Sequence, residues 1–199
     1  DPASIAGAAS RSLPGTDEIS SLDLVNIYLI GFMGSGKSTT GRKIAASLRW
    51  NFADTDKLIE AEYGMSVPEI FTHKGEKFFR DAESAALRSV SSRARMVVAC
   101  GGGTPCSEEN IGIMKSTGVV VYIRLPVAAL VNRLEKSRTS RPLLENQRGA
   151  DLAATVTKLL NQRSQWYEKA DIVADGLSMT IDDLTGQLAA YIRSSGAYL

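Results

Sequence analysis

Sulfur and imidazole are scarce in this chain. Its 199 residues include two cysteines, Cys100 and Cys106, and one histidine, His73. A C-x5-C spacing fits no zinc pattern, and two thiols make a poor disulfide framework, so both are read as reduced thiols of a cytoplasmic protein. No second histidine, thiol or nucleophile pattern accompanies His73, which is expected on the surface or at a helix end. Charge of one sign is lacking too. Lys and Arg number 23 against 22 Asp and Glu, a net charge of +1, so nothing points to a nucleic-acid partner or an anionic membrane. No apolar run approaches the ~20 residues needed to span a bilayer.

What is present is an ordinary globular mixture, 44% hydrophobic and 23% charged, enough for one core of normal size. The length suggests one domain, residues 24–199, taken as a monomer. Residues 1–23 are rich in Ala, Ser, Gly and Pro and have little periodicity, which reads as a flexible leader. They contain no secretory apolar region. One Arg beside Asp17, Glu18 and Asp23 also fits a transit peptide badly.

The segment from Gly31 to Thr39, GFMGSGKST, organises the rest. It matches the phosphate-loop pattern G-x-x-x-x-G-K-[ST]. An apolar run, residues 25–30, enters it as a buried strand, and a helix-periodic run with Ile44, Ala45 and Leu48 leaves it. Such a loop aims backbone N–H groups and a helix N-terminus at an anion. Lys37 would reach the β- and γ-phosphates and Ser38 would ligate Mg²⁺.

Further strands are expected at residues 51–56, 96–100, 119–123 and 171–174. Helices are expected at 56–63, 67–73, 75–91, 107–116, 127–136, 151–169 and 181–192. Strands apolar throughout, alternating with helices, predict a three-layer α/β/α fold on a parallel sheet. Ligands bind such sheets at the carboxyl ends of the strands. The phosphate loop, Asp54 with Asp56, and Gly101-Gly102-Gly103 each fall at such an end, so they should converge. Residues 137–150, polar, Arg-rich and broken by Pro142, read as a mobile loop over the site.

Several residues carry two readings. Asp54 and Asp56, two apart, share a face if extended; one can serve Mg²⁺ and the other a substrate hydroxyl, or either can cap a helix. The glycine triplet can lie flat against a small ligand or form a plain turn. Arg80 and Glu83, three apart on a helix, make a surface ion pair or a guanidinium fork held for a carboxylate. Phe71 and Phe79 are core residues, one of which can double as a pocket wall. Arg133, Arg138, Arg141 and Arg148 surround the loop and are candidates to stabilise phosphoryl charge. Arg163, mid-helix, can face either way.

Together GFMGSGKST, DTD, GEKFFRDAE, ACGGGTP, SRPLL and QRSQWY occur in the order and at the approximate spacings of the shikimate kinase family, which this chain resembles over residues 25–174. The resemblance implies transfer of the ATP γ-phosphoryl group to the 3-hydroxyl of shikimate, with Mg²⁺. It implies a fold like the nucleoside-monophosphate kinases: a five-stranded parallel sheet of order 2-3-1-4-5, a substrate-binding segment at about 55–84 and a lid at about 137–150. By motif match, Gly34, Ser35, Gly36, Lys37, Ser38 and Thr39 bind the nucleotide, with Arg133 on the adenine and Arg141 on the phosphates. Ser38 ligates Mg²⁺ and Asp54 helps through water. Asp56 is the candidate base, with Lys37 and Arg141 as its catalytic partners. Arg80 and Arg163 hold the substrate carboxylate, Glu83 steadies Arg80, and Phe79, Gly101, Gly102 and Gly103 line the ring. One departure is the Ala99-Cys100 strand end, where the family more often has a hydroxyl residue. Rival readings are a gluconate kinase on the same fold and a nucleotide-binding module without catalysis.

Overall fold

The structure, a computed structural model, describes residues 25–137, 142–144 and 147–195. Five strands, β1 (Asn26–Ile30), β2 (Asn51–Asp54), β3 (Met96–Ala99), β4 (Gly118–Arg124) and β5 (Ile172–Asp175), form one sheet of order β2-β3-β1-β4-β5. All pairs are parallel, with Tyr28 opposite Val98 on one side and Val120 on the other. The order is the one the family resemblance implied. Helices are α1 (Lys37–Leu48), α2 (Thr55–Tyr63), α3 (Val67–Ser91), α4 (Glu108–Thr117), α5 (Val127–Lys136), α6 (Gly149–Tyr167) and α7 (Ile181–Ser195).

Successive side chains of a strand point to opposite faces, and here both faces are covered. Ile27 and Leu29 pack with Ile44 of α1 and Leu184, Leu188 and Ile192 of α7. Tyr28 and Ile30 pack with Leu87 of α3, Met114 of α4, Leu130 of α5 and Val156 of α6. The central strands β1, β3 and β4 are accordingly apolar almost without a break. The edge strands depart from that expectation. β5 alternates buried and exposed, with Val173 42% exposed, and β2 is only partly buried. A strand with one neighbour needs a full cover on neither edge nor face.

Helix α3 is entered through a capping box, Ser66 and Glu69 bonding reciprocally. At Gly75 the backbone leaves helical geometry (φ 83°, ψ 168°), so the two helices expected at 67–73 and 75–91 meet there as one kinked element. Both halves pack with α2 around a small core of their own: Ile59, Ile70, Phe79 and Ala82. His73 is exposed, as expected. The proposed leader and the bulk of its boundary lie outside the described residues.

Gly118 opens β4 opposite Asn26, and a Cβ there would collide with the Asn26 carbonyl oxygen. Backbone cannot yield like a side chain. Gly118→Ala is expected to destabilise the fold by about 2 kcal/mol or more, within the range of overpacked cores; a denaturant midpoint equal to the parent's would show that β1 and β4 can separate freely.

Candidate active site

The phosphate loop leaves β1 with glycines at φ 143° (Gly31), 80° (Gly34) and 97° (Gly36), values that side-chain-bearing residues rarely adopt. Gly36 caps α1 without any side-chain cap bond, and the first turn of α1 carries no acid. No capping side chain and no first-turn acid therefore competes with an anion at that end. Lys37 is buried and donates from Nζ to the carbonyls of Gly31 (2.8 Å) and Phe32 (2.9 Å). Ser38 Oγ donates to Asp54 Oδ2 at 2.5 Å.

Asp54 also caps α2, its Oδ1 accepting from the backbone N–H groups of Asp56 (3.1 Å) and Lys57 (3.3 Å). The extended geometry expected across Asp54-Thr55-Asp56 is corrected here: β2 ends at Asp54 and α2 begins at Thr55. A parallel strand stops where its capping residue turns the chain. The two acids nevertheless line the same cavity, because the first helical turn swings Asp56 back over the strand end.

That cavity, about 210 Å³, is bounded by Asp54, Asp56, Arg80, Glu83, Arg163 and the glycine triplet, with Val67, Phe71 and Phe79 as its apolar wall. Pro142 and Leu143 of a short 3-10 turn, Pro142–Leu144, close over it, and Leu144 is buried in the core. Asp56 Oδ1 and Arg163 Nη1 are buried and have no hydrogen-bond partner. Burial, then the neighbouring Glu83 and Asp54, push the Asp56 carboxyl up from 3.8 to about 6, against the opposing pull of Lys37. Arg163 is 8% exposed and its guanidinium lies over the Phe32 ring, so this mid-helix arginine faces inward.

Arg80 is forked between two acids, Nη1 on Glu83 Oε2 (2.5 Å) and Nη2 on Glu76 Oε1 (3.1 Å). Glu83 is 1% exposed. The glycine triplet is what lets these groups approach: a Cβ on Gly102 would stand 3.0 Å from Arg163 Nη1, and one on Gly103 would overlap the Arg80 guanidinium. On the other side of the phosphate loop, Ser35, Gly36, Thr39 and Arg133 line a second cavity of about 240 Å³ with Asp175 and Thr180. Arg133 Nη1 donates to the carbonyls of Gly34 and Ser35. Arg138 and Arg141 lie outside the described residues. Cys100 is fully buried, and neither cysteine is in a disulfide.

The phosphate loop thus adjoins a cavity that holds an acid, two arginines and a glycine floor. A family model described as shikimate kinase matches residues 33–192. The chain belongs to the shikimate kinase family. It is 38% identical over 172 residues to a shikimate kinase of Caldanaerobacter subterraneus subsp. tengcongensis, covering 86% of this chain and 98% of that one. A shikimate kinase structure from Acinetobacter baumannii, in complex with shikimate, superposes with a TM-score of 0.78 at 33% identity, covering 89% of this chain and 97% of the other. A gluconokinase from Sinorhizobium meliloti superposes at 0.51 with 14% identity, a likeness of fold alone. Membership of the shikimate kinase family makes the chain an ATP-dependent phosphotransferase. Among the described residues no helix is long and apolar enough to cross a membrane.

Three polar residues of this site escaped the sequence reading. Thr55 Oγ1 accepts from Gly101 N (2.9 Å), Thr104 Oγ1 donates to Glu83 Oε1 (2.8 Å), and Tyr167 Oη donates to the Gly102 carbonyl (2.6 Å). Each stood beside a flagged motif: Thr55 within DTD, Thr104 directly after the triplet, and Tyr167 one helical turn from Arg163.

An acid whose folded pKa exceeds its unfolded value costs stability once ionised. The contribution of Asp56 is fully favourable below about pH 4, is lost as pH rises from there to about 6, and stays lost above. Asp56→Asn is therefore expected to raise Tm by several degrees at pH 7.5 in metal-free buffer, with the gain shrinking toward pH 5. Thermal unfolding at both pH values checks it; an unchanged or lowered Tm at pH 7.5 contradicts the assigned burden.

Proposed function

We propose that this chain is a Mg²⁺-dependent shikimate 3-kinase that moves the γ-phosphoryl group of ATP to the 3-hydroxyl of shikimate and releases ADP. The observation that carries the reading is the pair of buried, unpartnered atoms, Asp56 Oδ1 and Arg163 Nη1, on the wall of one small cavity. A buried polar group without a partner is costly, and a small anionic polyol supplies both missing partners. Its carboxylate meets Arg163 and Arg80, and its hydroxyl meets Asp56.

On this reading the residues divide the work as follows. The Gly34–Thr39 backbone and Lys37 hold the β- and γ-phosphates, and Arg133 faces the adenine from the second cavity. Arg141, outside the described residues, is assigned to the phosphates by the SRPLL motif match. Asp56 accepts the hydrogen bond of the reacting hydroxyl and takes its proton as the new oxygen–phosphorus bond forms. The bond to the β–γ bridging oxygen breaks, and that oxygen leaves on ADP. A carboxyl with a pKa near 6 is ionised at neutral pH and is a better proton acceptor than an ordinary aspartate. Phe71, Phe79, Pro142 and Leu143 limit water, which would otherwise compete for the phosphoryl group.

Ser38 Oγ and Asp54 Oδ2 offer two hard oxygens 2.5 Å apart beside the helix N-terminus. Among the described residues no group of three His, Cys, Asp or Glu forms a closed metal cage. That donor set fits Mg²⁺, which commonly takes one or two protein oxygens and completes its shell with phosphates and water. Ser38 would hold the ion directly and Asp54 through water; the bound ion would neutralise phosphate charge. The enzyme is taken as a monomer, and its free cysteines fit a reducing, cytoplasmic setting.

Coupled measurement of ADP release should show turnover with shikimate and little with gluconate, quinate or nucleoside monophosphates. Absence of shikimate-dependent ADP ends the proposal. Arg80→Ala should raise the KM for shikimate by about tenfold or more, the worth of a hydrogen bond between charged groups. Asp56→Asn should cut kcat by about a hundredfold or more with little change in the KM for ATP. Parental kinetics in either variant would remove that residue from its role.

A further inference from the structure

Thr104 ends the glycine triplet and is completely buried. Its backbone shapes the turn by itself: the N–H donates to the Gly101 carbonyl at 3.0 Å, and the carbonyl accepts from Asn110 Nδ2 at 2.8 Å. The hydroxyl is not needed for either bond. It points instead at Glu83, 2.8 Å from Oε1. The other oxygen of Glu83 accepts from Arg80 at 2.5 Å, and Glu83 is itself buried. A buried carboxylate needs donors on both oxygens to keep one orientation. Here one donor is the guanidinium that must be aimed, and the other is fixed to the loop after β3.

We infer that Thr104 is a positioning residue for substrate recognition: through Glu83 it fixes the Arg80 fork in the orientation that receives the substrate carboxylate. The inference rests on the proposed function and extends it to a residue that does not line the cavity. Glu76, the other acid on Arg80, is more than half exposed and cannot define the fork alone, since exposed pairs of this kind hold geometry weakly. The chain of contacts runs from the sheet end through Thr104 and Glu83 to Arg80. Without the hydroxyl, Glu83 keeps a single strong donor and can follow Arg80 instead of directing it.

The test is Thr104→Val, which keeps shape and β-branching and removes the donor, compared with Thr104→Ser, which keeps the donor. In the valine variant the KM for shikimate should rise by about tenfold, the size expected when a charged group loses a hydrogen bond, while kcat and the KM for ATP stay within about twofold of the parent. The serine variant should return to within about twofold of the parental KM. Parent and valine variant should bind a shikimate analogue carrying a carboxamide in place of the carboxylate equally well, because that analogue makes no charged pair with Arg80. A parental KM for shikimate in the valine variant overturns the inference. So does a loss shared equally with kcat or ATP, or a serine variant no better than valine. Should the valine variant fail to fold, Thr104→Ala is read by the same criteria. A parent that turns over shikimate normally, matched by its valine variant, refutes the brace alone. A parent without shikimate-dependent ADP release refutes the functional reading and the brace with it.

Discussion

A methyl group on Gly101 would lie 2.6 Å from Glu83 Oε1, 2.8 Å from Asp56 Oδ1 and 3.0 Å from Thr104 Oγ1. Three oxygens from three chain segments meet at the one point where the backbone carries only hydrogen. Two of them belong to carboxylates, and two buried acids this close repel. The site resolves the conflict by treating them unequally. Glu83 receives both a guanidinium and a hydroxyl. Asp56 Oδ1 receives nothing from the protein, and its carboxyl answers with a raised proton affinity. An acid left wanting a partner is what a substrate hydroxyl can satisfy. The same glycine run then forms a floor for both arginines, since side chains on Gly102 or Gly103 would displace Arg163 or Arg80. Space beside a bare backbone is the condition on which the acid, its neighbour and the cationic pincer all depend.

Topology makes the meeting possible. With β1 at the centre and β3 beside it, the phosphate loop and the glycine triplet leave adjacent parallel strands at the same end. β2 lies one strand further out and delivers Asp54 and Asp56 to the same rim. The crevice therefore forms where the chain changes direction across the sheet, the usual place for a ligand in such folds. Helix α3 lines the cavity from both sides of its break at Gly75, with Val67 and Phe71 before it and Phe79, Arg80 and Glu83 after it. Arg163 arrives from α6, locked by packing against Phe32 and followed one turn later by Tyr167, whose hydroxyl holds the Gly102 carbonyl. A cation and the floor it rests on are thereby fixed from one helix.

What could be read in the residues and what could not divide along physical lines. The phosphate loop was legible because its shape is set by main-chain geometry, and positive φ at Gly34 and Gly36 leaves a fixed-spacing trace. The central strands were legible because a strand covered on both faces must be apolar at every position. The edge strands were less so: Val173, on the outer strand β5, is 42% exposed. Arg163 could not be oriented from spacing, since the phase of a helix against its neighbours is a tertiary property. Thr55 and Thr104 were missed for the same reason. Their partners, Gly101 and Glu83, are distant in sequence, and a hydroxyl amid glycines has no periodicity. The geometry assumed for Asp54 and Asp56 was wrong, yet their convergence held, because capping turned the chain within one residue and the first helical turn restored the shared direction.

An acid at a strand end can cap a helix and still offer an oxygen to the site. Capping and ligand service were set against each other for Asp54, as if one would exclude the other. The two oxygens of one carboxylate divide the tasks: Oδ1 takes the two N–H groups that open α2, and Oδ2 takes the Ser38 hydroxyl at the start of α1. Each oxygen can accept more than one hydrogen bond, so neither task exhausts the group. The cap also does something for the site that a surface cap does not. By fixing the carboxylate plane it aims the second oxygen, and by starting α2 at Thr55 it sets where Asp56 points. The N-terminus of the phosphate-loop helix and the acid that faces the cavity are thus tied through a single side chain. On the proposed reading, that one carboxylate holds the phosphate side and the substrate side of the crevice in register.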